Sequence, residues 1–369
     1  MAIMTEVLLK ELSNNDINWI NSIGRRREIN PGTVLIQEGK IDDYLHILLD
    51  GTLKVSISQV DTSLLARAFA AIEQSENTSL EIGRLSSGEI VGEVPFVSYL
   101  PKTTNVSAVE KSLIISIPKQ KLAQKLQHDV TFAARFYRAV AILFSDRLQS
   151  SINQLGRKNF ARSQPIRDVL CVLGELHDSD IDWMMAAGTP QKIAANTVLI
   201  YEGGAIDALY ILLGGTMSVS ISENERNPLA RAFAAIEGSE ILGREIGRVS
   251  KGEIIGETPF IDGRLPLTTV RAMEDSLVLA IPRQHLATKL QQDVGFASRF
   301  YRVIVALLSY RLQETYSQLG YGRKIYSRSQ SLDENVEYED ELDFGMLDKI
   351  GLAGKRFDWM QRRLTNFLV

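Results

Sequence analysis

Two short segments carry residue types that together would hold a phosphate ester. In the first, a strand-like run ends at Gly92, Glu93 follows, Pro95 opens a short turn of helix, and Thr103 to Ala108 is extended again. Glycine allows close backbone approach, and the start of a helix turns free N–H groups toward an anion. An ionised carboxylate accepts hydrogen bonds only, which suits a sugar hydroxyl. A cation placed before the next strand completes the set. The second segment repeats the arrangement from Gly256-Glu257 onward. The candidate ligand-binding residues are therefore Gly92, Glu93, Lys102, Thr103 and Thr104 in the first, and Gly256, Glu257, Arg264 and Thr268 in the second.

Other chemistry is poorly supplied. The four histidines, His46, His128, His177 and His285, show no metal-ligand spacing. Gly-x-x-x-x-Gly-Lys-Ser/Thr, Gly-x-Ser-x-Gly and His-Glu-x-x-His are all missing from the sequence. Nothing argues for an enzyme or for a metal.

The chain is written twice. Shifted by 164 positions (173 minus 9), Leu9 to Gly156 lies on Leu173 to Gly320 without a gap, with slightly more than half the positions identical. A period this long is a whole folding unit rather than a solenoid repeat. The expected domains are residues 1–157 and 165–322, followed by an acidic linker and short helical tail at 323–369.

Composition is that of a globular chain, with 45% hydrophobic and 23% charged residues, and a net charge of −4 draws it neither to nucleic acid nor to anionic lipid. The single cysteine, Cys171, excludes an intramolecular disulfide and fits a reducing, cytoplasmic setting. No apolar run is long enough to span a membrane, and no secretory leader is recognisable.

The positioning elements follow from periodicity. Leu8, Leu9, Leu12, Ile17 and Ile20 recur at helical spacing, with Ser13 and Asp16 as capping types. The period then falls to two: Val34 to Ile36 is a strand, and Tyr44 to Leu49, Asp50-Gly51 and Leu53 to Ile57 form a hairpin. Ile82 to Val91 and Leu113 to Ile117 return to strand character. Lys119 to Gln127 is a short helix, and Asp129 caps a long one. This order predicts a mainly β fold with flanking helices (α+β): two antiparallel jelly-roll β-rolls, each with an N-terminal helix and a long C-terminal helix.

Here the chain resembles the cyclic nucleotide-binding domain family, which includes the sensor domains of catabolite activators and of protein kinase A regulatory subunits. The resemblance spans residues 8–157 and 172–321. It rests on Glu38-Gly39, the Asp43 to Thr52 hairpin and the Gly92-Glu93 cassette. It implies that Glu93 and Glu257 take a ribose hydroxyl and that an arginine nine residues later takes the cyclic phosphate. Val106 and Val270 fall on the family valine. The arginine position holds Lys102 in copy one and Pro266 in copy two, with Arg264 two residues earlier. Lysine cannot form arginine's bidentate fork, and a lost charge-assisted hydrogen bond costs about 1.5–3 kcal/mol. Proline offers no donor.

The expected function is therefore a non-catalytic, cytoplasmic regulatory protein. It binds cyclic AMP or cyclic GMP in copy one and relays binding through the long helices. The alternative is a protein-interaction adaptor whose degenerate domains bind no nucleotide. A transcription regulator ranks last, because the tail offers only Lys355-Arg356 and Arg362-Arg363 as a basic face. The tail, with Phe357, Trp359 and Phe367, either docks on the second domain or captures a partner. The alanine-rich inserts Leu65 to Glu73 and Leu229 to Glu237 are either helices laid on the rolls or docking surfaces offering Arg67 and Arg231. The long helices offer a route to a homo-oligomer.

Overall fold

In the computed structural model, residues 6–38, 40, 42–58, 79–92, 104–155, 171–221, 243–318 and 344–365 are described. The inserts, the segment from Glu93 to Thr103, and residues 319–343 lie outside them.

The period-two segments pair into rolls. Copy one begins with α1 (Glu6–Glu11) and α2 (Asn14–Ile23), then runs through β1 (Arg25–Ile29), β2 (Val34–Ile36), β3 (Tyr44–Asp50), β4 (Leu53–Ser58), β5 (Ser79–Leu85), β6 (Ile90–Val91), β7 (Asn105–Ala108) and β8 (Ser112–Pro118). It closes with α3 (Lys119–His128) and α4 (Val130–Leu155). Two antiparallel sheets result, in the orders β1-β8-β3-β6 and β2-β7-β4-β5.

Copy two repeats this with α5 (Cys171–Gly174), α6 (Asp178–Ala187), β9 (Thr189–Ile193), β10 (Val198–Ile200), β11 (Ala208–Gly214), β12 (Met217–Ile221), β13 (Arg244–Val249) and β14 (Ile254–Ile255). The one-turn helix α7 (Thr258–Ile261) precedes β15 (Thr269–Ala272) and β16 (Ser276–Pro282), and α8 (Arg283–Gln292) and α9 (Val294–Gln318) follow. Its sheets are ordered β9-β16-β11-β14 and β10-β15-β12-β13. The expected α+β pair of rolls, each with flanking helices, is the observed fold.

The described residues form two compact units. One holds those up to Leu143 together with 311–318; the other holds Phe144–Tyr310 and the tail from 344 onward.

Local chemistry explains the element ends. Ser13 caps α2 through a reciprocal pair, its hydroxyl accepting from the Asp16 amide while the Asp16 carboxylate accepts from the Ser13 amide. Asp129 accepts from the Phe132 amide at 2.8 Å and starts α4. In the β3–β4 hairpin Gly51 has φ +97°, and a Cβ there would collide with Ser112.

In each unit the N-terminal helix pair is fixed to the long helix by ions. Arg135 binds Asp16 through two nitrogens at 2.7 and 3.1 Å, and Arg299 binds Asp180 likewise at 2.6 and 2.8 Å. Both carboxylates are buried, and burial alone would raise their pKa. The guanidiniums and capping bonds outweigh it, so both titrate below the ordinary carboxylate range. Trp19 and Phe132 in copy one, and Trp183 and Phe296 in copy two, make the same edge-on contact beside these pairs.

The tail departs from expectation. Gly351 and Gly354 predict one or two short, broken helices there; instead α10 (Phe344–Thr365) runs unbroken through both glycines. Burial of Ala353, Phe357, Met360 and Leu364 against α5 and α6 outweighs glycine's poor helix propensity. Arg356 fastens the helix, donating to Asp178 at 2.7 Å and to the carbonyls of Leu173 and Gly174 at 3.3 and 3.2 Å. Gln361 donates to the Leu213 carbonyl at 3.1 Å.

Candidate functional site

Each cassette begins where the short strand β6 or β14 ends on a glycine. Gly92 has φ +107° and Gly256 φ +82°, a backbone region that favours glycine. A Cβ at Gly92 would lie 3.0 Å from the Tyr44 carbonyl, and one at Gly256 would lie 3.3 Å from that of Ala208. The glycines thus let the backbone at their own positions pass close to β3 and β11.

Copy two is described throughout its cassette. Glu257 follows Gly256 and is 4% exposed, at the start of the single turn α7. The Phe260 amide closes that turn on the Glu257 carbonyl at 2.9 Å. Thr268 stands half-buried just before β15, where Val270 enters the roll core with Ile200, Leu212, Ile255 and Val278.

The turn after β10 is sewn to the far end of this cassette. The Gly203 amide donates to the Pro266 carbonyl at 2.9 Å, and the Glu202 amide donates to the Thr269 hydroxyl at 3.1 Å. Pro266 is buried. Among the described residues of copy one the same seam is seen where the Glu38 amide donates to Asn105 Oδ1 at 2.9 Å. In copy two the structure therefore brings the Glu202-Gly203 turn and the cassette together.

Arg264 is committed elsewhere. Its Nε donates to Asp262, its Nη1 to Asp146, and Nη1 also reaches Gln149 Oε1 at 3.2 Å. Burial disfavours its charge, but the carboxylates of Asp262 and Asp146 outweigh that and hold the guanidinium more firmly protonated than usual. Gly263, with φ +80°, makes the turn that points the chain this way.

In copy one, Gly92 and Thr104 are described, and Thr104 is half-buried before β7. Glu93, Lys102 and Thr103 lie outside the described residues. Beside the cassette is a cluster that sequence reasoning missed. His46 is 3% exposed and opposite Val91, next to Gly92. Its Nδ1 lies 2.9 Å from Ser116 Oγ and its Nε2 lies 2.9 Å from Asp42 Oδ2.

Burial pushes the His46 pKa down, and the Asp42 carboxylate only partly offsets it. Copy two has Tyr210 opposite Ala280 at these positions, a larger ring facing a smaller neighbour. The paired exchange of His46 and Ser116 for Tyr210 and Ala280 was the available signal in the sequence.

Among the described residues no group of His, Cys, Asp or Glu gathers as a metal site, and no helix is long and apolar enough to cross a membrane.

Comparison with known proteins gives the same domain twice. The family model described as "Cyclic nucleotide-binding domain" matches residues 26–129 and 190–293, more than half of the chain. A curated relative, neuropathy target esterase sws of Drosophila willistoni, is 24% identical over 280 residues, which is 75% of this chain and 16% of that protein. The chain thus spans about a sixth of that relative's length.

Among solved structures, the regulatory domain of Toxoplasma gondii PKA with cAMP is 15% identical, covering 78% of this chain and 89% of that one at a TM-score of 0.28. A cyclic nucleotide-binding domain from Methylobacillus flagellatus is 18% identical, covering 43% and 85% at 0.34. With that model matched twice over more than half of the chain, and the same two sheet orders in each copy, the chain belongs to the cyclic nucleotide-binding domain family.

Proposed function

We propose that this chain is a non-catalytic, cytoplasmic regulatory protein that binds a cyclic mononucleotide, cAMP or cGMP, in copy one only. Copy two serves as a scaffold and relay. The observation that carries the asymmetry is in copy two: Pro266 occupies the family's arginine position, and Arg264 is held by Asp262, Asp146 and Gln149. Freeing Arg264 for a phosphate would leave two carboxylates without their partner, a cost of the same order as the phosphate hydrogen bonds that would replace them.

In copy one, Lys102 supplies the charge at the arginine position, with Glu93 for the ribose and Gly92, Thr103 and Thr104 forming the cradle. Binding there passes to α4, whose start is fixed through Asp129 and whose Arg135 holds Asp16 of α2. A ligand that draws α4 toward the roll therefore loads the same ion pair that positions α1 and α2.

The committed state of Arg264 also favours the second reading, a protein-interaction adaptor whose degenerate domains bind no nucleotide. Thermal unfolding of the full chain with millimolar cAMP or cGMP tests the proposal. A ligand-dependent rise is expected in the wild type, larger in Lys102→Arg, absent in Lys102→Glu and unchanged in Glu257→Gln. A rise that survives Lys102→Glu overturns it.

A further inference from the structure

The duplication provides an internal control for one surface. In copy two, α10 packs on α5 and α6, and Leu173 of α5 and Ile181 of α6 are 0% and 1% exposed. The same positions in copy one are Leu9 and Ile17, on α1 and α2. Leu9 is 50% exposed and Ile17 half-buried. An exposed leucine on one helical face is ordinary. Here, however, the sister face shows what fits: a helix that inserts Ala353, Phe357, Met360 and Leu364 at steps of four, three and four residues.

The rims of the two faces differ in charge. Arg356 pairs with Asp178 and sits over Gly174, and Arg363 lies 3.8 Å from Asp182. Copy one has Asn14 for Asp178, Asn18 for Asp182 and Lys10 for Gly174. Both carboxylates that hold α10 are gone, and an ammonium stands where Arg356 would arrive. The face keeps its apolar shape and rejects α10's charge, which turns the same groove to a different occupant.

We propose that the α1–α2 face of copy one is a docking site for an amphipathic helix of a separate protein. That helix carries apolar residues at the spacing of α10 and acidic or neutral side chains in place of Arg356 and Arg363. The inference is independent of nucleotide binding, since Leu9, Lys10 and Asn14 lie outside the cassette.

The test uses the full chain and two fluorescent peptides of residues 344–365, one native and one carrying Arg356→Glu and Arg363→Glu. The acidic peptide is barred from copy two by Asp178 and Asp182, so it reports copy one. Anisotropy is expected to show saturable binding of the acidic peptide, at least about fivefold tighter than the native one. That binding weakens about tenfold in Leu9→Gln, a change at an exposed site, and in Lys10→Glu.

Lys10→Glu should also raise the affinity for the native peptide. Failure of the acidic peptide to bind, or indifference to both substitutions, overturns the proposal. Tighter binding of the native peptide in a Leu9-dependent way overturns it too, since the occupant would then be α10 of a second copy.

Discussion

The carbonyl of Pro266 accepts a hydrogen bond from the Gly203 amide at 2.9 Å, tying the cassette of copy two to the turn after β10. The bond uses backbone atoms alone, so it is indifferent to the side chain at 266. A guanidinium can therefore be added there without breaking the seam. Pro266→Arg should install a phosphate ligand beside Gly256 and Glu257, raising nucleotide stoichiometry from one to two per chain. Equilibrium dialysis with labelled cAMP and cGMP reads this directly, and a stoichiometry that stays at one speaks against the reading of the cassette.

The glycine that opens the copy one cassette is equally testable. Gly92→Ala places a Cβ 3.0 Å from the Tyr44 carbonyl at φ +107°. The strain should cost about 1–3 kcal/mol of stability, measured by urea unfolding. It should weaken any nucleotide affinity as well, because relief of the clash moves Glu93. The matching Gly32→Ala change meets no atom within 4 Å and carries only the positive-φ penalty.

Acid should loosen copy one through His46. Its pKa is held down in the folded chain, so folding favours the neutral ring. The unfolded ring titrates near about 6.5. Stability from this site is therefore complete above that pH and is lost as pH falls below it, with a slope of at most about 1.4 kcal/mol per pH unit. The double change His46→Tyr with Ser116→Ala copies Tyr210 and Ala280 and should flatten the urea midpoint between pH 7 and 5. Asp16 and Asp180, held below the usual range, lose their contribution only at far lower pH, so they do not obscure the effect.

The tail should behave as part of the second unit. Met360 is fully buried, and Met360→Ala should destabilise that unit by about 2–5 kcal/mol. Arg356→Ala removes one carboxylate contact and two carbonyl contacts, for about 1.5–3 kcal/mol. Hydrogen exchange should then rise in α5, α6 and α10 and stay unchanged in β1–β8. Uniform exchange across both units would show that the tail is not where its energy acts.

Much of this was readable in the sequence because local periodicity and the doubled register agree. The β3–β4 hairpin, the Ser13–Asp16 cap, the Asp129 cap and the long helix α4 all follow from patterns within a few residues. Strands β1 and β9 did not. Arg25 to Glu28 are all exposed on an edge strand, so no apolar alternation announces it.

The fate of Arg264 was hidden for a different reason. Asp262 is two residues away and legible, whereas Asp146 and Gln149 arrive from 118 and 115 positions earlier in the chain. The unbroken course of α10 through Gly351 and Gly354 is likewise a tertiary effect, since the energy that holds it is buried against α5 and α6.

Isothermal titration of the intact, folded chain with cAMP and with cGMP reads the central claim most directly. The account predicts heat with one of them at one site per chain, lost entirely in Lys102→Glu and retained in Arg264→Ala. Silence at millimolar ligand from both, or heat that disappears with Arg264 rather than with Lys102, contradicts it.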